Sequence, residues 1–191
     1  GGYYPNGGVL NNIADRLLWQ DPETLELHPW IAEDLPDTNA DDTEFTFHIR
    51  KGVTYSDGSM LDAANVKKNY DLYANGDDSR MLTPSEQLPN YVKSEVIDDY
   101  TVKFYFSEPS PGFPQSTSVM NQALLSNDTL DLDDTGFSPG HATDISGSGP
   151  FVIEEEDMGT KLVLKARKDY DWAPPARKDH QGPAEIEGIN V

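Results

Sequence analysis

Between Phe45 and Gly76 the chain changes its apolar period twice, and this run constrains the fold more than any other stretch. Phe45, Phe47 and Ile49 alternate with Thr46, His48 and Arg50, the period-two pattern of a strand with one buried face. Tyr55 to Gly58 reads as a turn, for which Asp57-Gly58 supplies the tight geometry. From Asp62, a natural N-cap, Val66, Tyr70 and Tyr73 give a helix its apolar face, and Gly76 stops it. A strand leading through a tight turn into a capped helix predicts a helix packed on a sheet.

The rest of the chain fits that reading. Leu10, Ile13, Ala14, Leu17 and Leu18 form an apolar stripe that predicts an amphipathic helix ending near Trp19-Gln20, before Asp21-Pro22. Trp19 and Trp30 are expected in the core. Val96 and Ile97 lie in a short strand, and Val102, Phe104 and Phe106 alternate in another. Asp98-Asp99-Tyr100 joins the two as a hairpin. A helix is expected over 113–125 and a long polar surface loop over 127–148, with the sequon Asn127-Asp128-Thr129 inside it. Strand patterns return at 151–153, 161–167 and 186–191. The expected class is α/β, a mixed sheet with helices.

Charge narrows the partners. The net charge is −20, from 34 acids against 14 bases, and the acids are scattered, with no run longer than Glu154-Glu155-Glu156-Asp157. Such a field repels nucleic acid and anionic lipid. Spread over every surface, the acids form a solvated coat that repels itself at low salt, which points to a salt-loving host. With no cysteine, disulfides, thiolate catalysis and zinc–thiolate sites are excluded. No stretch is apolar enough to span a bilayer. The start Gly1-Gly2-Tyr3-Tyr4 lacks an initiator Met, so a processed or trimmed N-terminus is expected.

Catalytic constellations do not emerge. His28, His48, His141 and His180 are far apart, and none has the i+4 partner of a helical metal site. There is no nucleophile elbow, phosphate-cradling loop or dinucleotide fingerprint. Asp131, Asp133, Thr135 and Gly136 match the opening of a calcium loop, but the twelfth position is Ala142 rather than Glu. The expectation is a protein that is not an enzyme and needs no cofactor and no metal.

Three blocks carry a resemblance. The first is Asn12-Ile-Ala-Asp-Arg-Leu-Leu-Trp19, followed by Leu27-His-Pro-Trp-Ile-Ala-Glu-Asp34. The second, and most specific, runs from Phe45-Thr-Phe-His-Ile-Arg50 through Asp57-Gly58 to Ala63-Ala-Asn-Val66. The third is Gly147-Ser-Gly-Pro-Phe151, then Leu162-Val-Leu164 and Asp169-Tyr-Asp-Trp172. Together they resemble the family 5 solute-binding proteins of bacterial and archaeal ATP-driven importers. Ala64-Asn65 replaces the usual acid before Val66. In the second block Arg50 is expected to bond a carboxylate or a loop carbonyl, in a scaffold role.

The resemblance implies lobe I of a type II periplasmic-binding-protein fold over 1–191, without lobe II, and a small inserted subdomain over roughly 45–145. It implies extracellular capture of a peptide-like or other small solute, by a monomeric lipoprotein anchored at the cell surface of a halophilic archaeon. Delivery to the membrane permease subunits of the importer follows. Family members take peptides, nickel chelates, sugars or opines, and these stay open. Candidate solute contacts are Tyr3, Tyr4, Asn11 and Asn12 around the first helix, Met120 and Asn121 near a helix end, and Gly147 and Gly149, which shape backbone. The alternative is an acidic surface or adhesion module of a halophile that depends on cations.

Overall fold

The computed structural model describes residues 7–133, 135–136, 138–177 and 182–191. The chain enters through a short helix, α1 (Gly7–Ile13), and then pairs β1 (Leu18–Gln20) with β2 (Leu27–Pro29) as an antiparallel ribbon. The helix expected to run on to Leu18 therefore stops at Ile13. Its later carbonyls are taken from outside: Ile13 O accepts from Gly149 N (2.9 Å), Asp15 O from Leu124 N (2.9 Å) and Leu17 O from Ala32 N (3.0 Å). Leu17 and Leu18 are still buried, but Leu17 lies in a bend and Leu18 opens β1. Trp30 is buried as expected, whereas Trp19 is only partly buried, packed on His28.

β3 (Asp37–Thr38), β4 (Glu44–His48), β5 (Tyr91–Asp98) and β6 (Thr101–Phe106) form an antiparallel sheet in the order β3-β4-β6-β5. β5 and β6 are joined at Asp99-Tyr100, the expected hairpin. Helix α2 (Ala63–Asn75) packs on this sheet, with Asp62 accepting from Asn65 N (2.9 Å) and Gly76 ending the helix at φ 66°. Phe45, Phe47, Tyr70, Phe104, Phe106 and Phe113 meet mostly edge-on or tilted, with centroids such as Tyr70–Phe104 at 4.9 Å and Phe106–Phe113 at 4.7 Å. Burial of rings at these angles contributes most to holding this core together.

The expected helix over 113–125 is reduced to α3 (Phe113–Ser116) and a 3₁₀ turn at Met120–Gln122. Thr117 Oγ1 and Ser118 Oγ donate to Pro114 O (2.7 Å) and Gln115 O (2.6 Å), so side chains cap the carbonyls a longer helix would use. The segment 127–148 is not wholly a surface loop. α4 (Asn127–Leu130) is capped by Ser126, and Leu130, Ala142 and Ile145 are buried. The sequon thus lies in a helix, with Thr129 buried. Asn69 holds this region in place, donating to Leu125 O and accepting from Leu125 N, both at 2.9 Å.

β7 (Phe151–Asp157), β8 (Lys161–Ala166) and β9 (Gly188–Asn190) form a second antiparallel sheet in chain order. A second core joins Val9, Ile13 and Ala14 of the entry segment to Phe151, Ile153 and Leu164 of this sheet.

Candidate functional site

The two cores meet where the end of α1 touches Gly147-Ser148-Gly149. A Cβ on Gly147 would lie 1.9 Å from Ile13 O, and one on Gly149 would lie 2.5 Å from the Ile13 carbonyl carbon. Glycine is required here for close backbone approach. Gly147 O also accepts from Ser56 N (3.0 Å), so the junction ties the turn after β4 to the entry segment.

Asp15 lies inside this junction and is fully buried. It accepts from Ser148 Oγ (3.0 Å), Trp172 Nε1 (2.9 Å) and Tyr170 OH (3.3 Å), while the Trp172 N–H also reaches Ser148 O (2.8 Å). Burial pushes the carboxyl up to about 7, and the three donors and the Arg16 charge pull against that rise. Arg167 braces the same corner. It donates to Thr54 O (2.8 Å) and Asp169 Oδ2 (2.8 Å), with its guanidinium 5.2 Å from the Trp172 ring centre. Asp15, Ser148, Tyr170 and Trp172 are thereby held in one polar knot.

Beside the knot, the Arg16 guanidinium sits 5.0 Å from the centre of the Trp30 ring. Burial pulls both Arg16 and Arg50 below the usual guanidinium range. The bond expected from Arg50 to a carboxylate or loop carbonyl is not formed among the described residues. Arg50 instead feels the carboxylates of Asp15, Asp171 and Glu33 through charge, without a hydrogen bond to any of them.

The structure brings most of the sequence candidates to this one junction. Asn11 is exposed on α1, and Asn12 turns its side chain back to Gly8 O (2.6 Å). The turn holding Met120 (half-buried) and Asn121 (exposed) packs against α1, and Gly147 and Gly149 are buried beneath it. Tyr3 and Tyr4 lie outside the described residues, as does His180. Sequence reading missed Asp15, Arg16 and Ser148. The available signal was a carboxylate set inside the apolar run Ile13-Ala14 to Leu17-Leu18.

A groove of about 580 Å³ opens elsewhere, lined among others by Glu33, His48, Lys51, Asp98, Asp99 and Tyr100. Its charged walls lack the apolar lining of a typical solute pocket. Asp131, from the partial calcium-loop match, pairs with Lys68 (2.6 Å). Among the described residues no group of three or more His, Asp or Glu converges as a metal site, and no helix is long and apolar enough to cross a membrane.

Residues 26–191 match the family described as bacterial extracellular solute-binding proteins, family 5 Middle, and the chain belongs to that family. It is 30% identical over 155 residues to the probable D,D-dipeptide-binding periplasmic protein DdpA of Escherichia coli K12, covering 76% of this chain and 27% of that protein. Its fold is that of NikA from Brucella suis in complex with Fe(III)-EDTA, at TM-score 0.74 and 24% identity, over 99% of this chain and 35% of the other. The periplasmic binding protein DppA from Helicobacter pylori, in complex with peptide STSA, superposes with TM-score 0.73 and 23% identity over 94% and 36%. The chain spans roughly a third of the length of these relatives. Its mixed α/β architecture is part of the solute-binding-protein fold.

Proposed function

We propose that this chain serves in extracytoplasmic capture of a peptide-like solute and its delivery to the membrane permease of an ATP-driven importer. The observation that carries the reading is the family match over residues 26–191. Relatives named for a D,D-dipeptide and for peptide STSA support the peptide class. They are binding proteins rather than enzymes, which supports reversible capture with no bond made or broken. Selectivity then comes from shape and a few placed hydrogen bonds, with closure favoured by higher affinity for the closed state.

In this reading the chain is a first lobe, with α2, β5, β6 and nearly all of β4 inside an inserted subdomain over about 45–145 and β3 just before it. The solute contacts in this reading are Tyr3, Tyr4, Asn11, Asn12, Met120 and Asn121, and Gly147 and Gly149 shape the backbone of the site. The protein works as a monomer, lipid-anchored at the surface of a halophilic archaeon. The dense acidic surface supports that host.

Native mass spectrometry of the full-length protein, purified in high salt from its own host, tests the function. A co-purified mass fitting one or a few short peptides is the expected result. A protein that carries no mass and shows no thermal shift against peptide and sugar libraries would count against capture.

A further inference from the structure

We propose that Arg16 and Arg50 form a binding site for a carboxylate group, with the indole of Trp30 as one wall. The backbone sets the two residues either side of Ile31: Ile31 N donates to Arg16 O (3.3 Å) and Arg50 N donates to Ile31 O (2.8 Å). Neighbouring extended segments lie about 4.8 Å apart, so two such steps put the two Cα positions about 10 Å apart. Two arginine side chains are long enough to span that distance and share one small anion. Both are half-buried, and stacking on Trp30 leaves the edge of the Arg16 guanidinium free to donate.

The donor inventory singles out this pair. Arg80 donates to Asp77, Leu130 O and Leu132 O, and Arg167 donates to Thr54 and Asp169. Neither Arg16 nor Arg50 makes a side-chain hydrogen bond among the described residues, and Arg16 Nε is buried with no acceptor. Asp15, the carboxylate whose charge acts on both, is occupied by the neutral donors Ser148, Tyr170 and Trp172. In a chain with 34 acids, two half-buried guanidiniums that no carboxylate bonds mark a place kept for an acceptor. A guanidinium presents a planar fork that matches a carboxylate bidentately, and an aromatic wall suits a planar group better than a spherical ion. Two sources can supply the group: a free carboxylate-bearing solute, or an Asp or Glu from a further segment of the full-length protein.

The test uses full-length protein, wild type, Arg16→Gln and Arg50→Gln. Thermal unfolding is read in sodium acetate and in sodium chloride at matched ionic strength, beside a crystal structure grown in acetate. The expected result is a midpoint several degrees higher in acetate for wild type only, with a carboxylate across both guanidiniums. An Asp or Glu side chain across both, with no acetate-specific shift, supports the site and assigns its group to the protein. Chloride, water or backbone carbonyls as the only acceptors, with equal acetate and chloride curves, overturns it. If a Gln variant fails to fold, Arg50→Lys keeps the charge and loses the fork, and its acetate response should shrink. A co-purified solute beside an overturned arginine site leaves solute capture intact, so the two can fail separately.

Discussion

At Asp15, burial and hydrogen bonding act in opposite directions, and burial wins. The unfolded chain titrates this carboxyl near 3.8, and the folded chain near 7. Between those values the native state holds the proton more tightly, so unfolding free energy falls as pH rises from about 4 to about 7. The shift corresponds to a loss on the order of 4 kcal/mol over that window. Asp15→Asn removes the titration while keeping the geometry. Its amide oxygen accepts from Ser148 and Trp172, and its NH₂ donates to the Tyr170 hydroxyl. The stability difference between wild type and Asp15→Asn, measured by urea unfolding at each pH, should therefore change by about that amount across pH 4 to 7. Parallel curves would show that Asp15 does not titrate there. This residue is poorly legible in the sequence because it is one of 34 acids, and its partners lie 133 to 157 positions away. Local periodicity carries no information across such separations. Gly147 and Gly149 are legible as backbone-shaping positions because a glycine lacks a Cβ whatever packs against it.

Among the elements, those governed by neighbours in sequence follow the pattern and those governed by distant partners do not. β4, α2 and the β5–β6 hairpin follow from alternation, a capping Asp and a two-residue connection, all within a few positions of one another. The apolar stripe overextends α1 because Leu17 and Leu18 continue it, while strand pairing with 27–29 and bonds to 124 and 149 end the helix. Two substitutions separate the forces that hold these elements. Asp62→Ala removes one cap hydrogen bond from α2 and should cost about 1 kcal/mol in urea unfolding. Gly147→Ala drives a methyl into the Ile13 carbonyl, where neither backbone can retreat, and should cost about 3 kcal/mol or more. Gly52→Ala is the control for dihedral strain alone. It has φ +83° and open space around it, and should cost only about 1–2 kcal/mol. Equal costs at positions 52 and 147 would mean that the junction relaxes and that close approach is not what Gly147 provides.

For the whole molecule the overriding influence is a charge of −20 on 191 residues. Among the described residues most ion pairs are exposed, such as Lys165–Glu154 and Lys161–Glu155, and exposed pairs contribute little each. The sum of unpaired acids therefore outweighs them, and compaction brings those acids closer together. Screening should relieve the repulsion as the Debye length falls from about 10 Å at 0.1 M to about 3 Å at 1 M salt. The melting midpoint should rise by several degrees over that range, equally in NaCl and KCl, because a dispersed coat responds to ionic strength and not to a particular ion. A cation-dependent surface module behaves differently, since a bound divalent ion stabilises by mass action at micromolar to millimolar concentration. Adding about 5 mM CaCl₂ or MgCl₂ against a constant background of about 1 M KCl, read by differential scanning calorimetry, distinguishes the two. No further rise in midpoint fits a coat on a binding lobe. A rise that saturates with the divalent ion alone would favour the surface module, and the acids would then act as ligands for a metal rather than as a solvated skin.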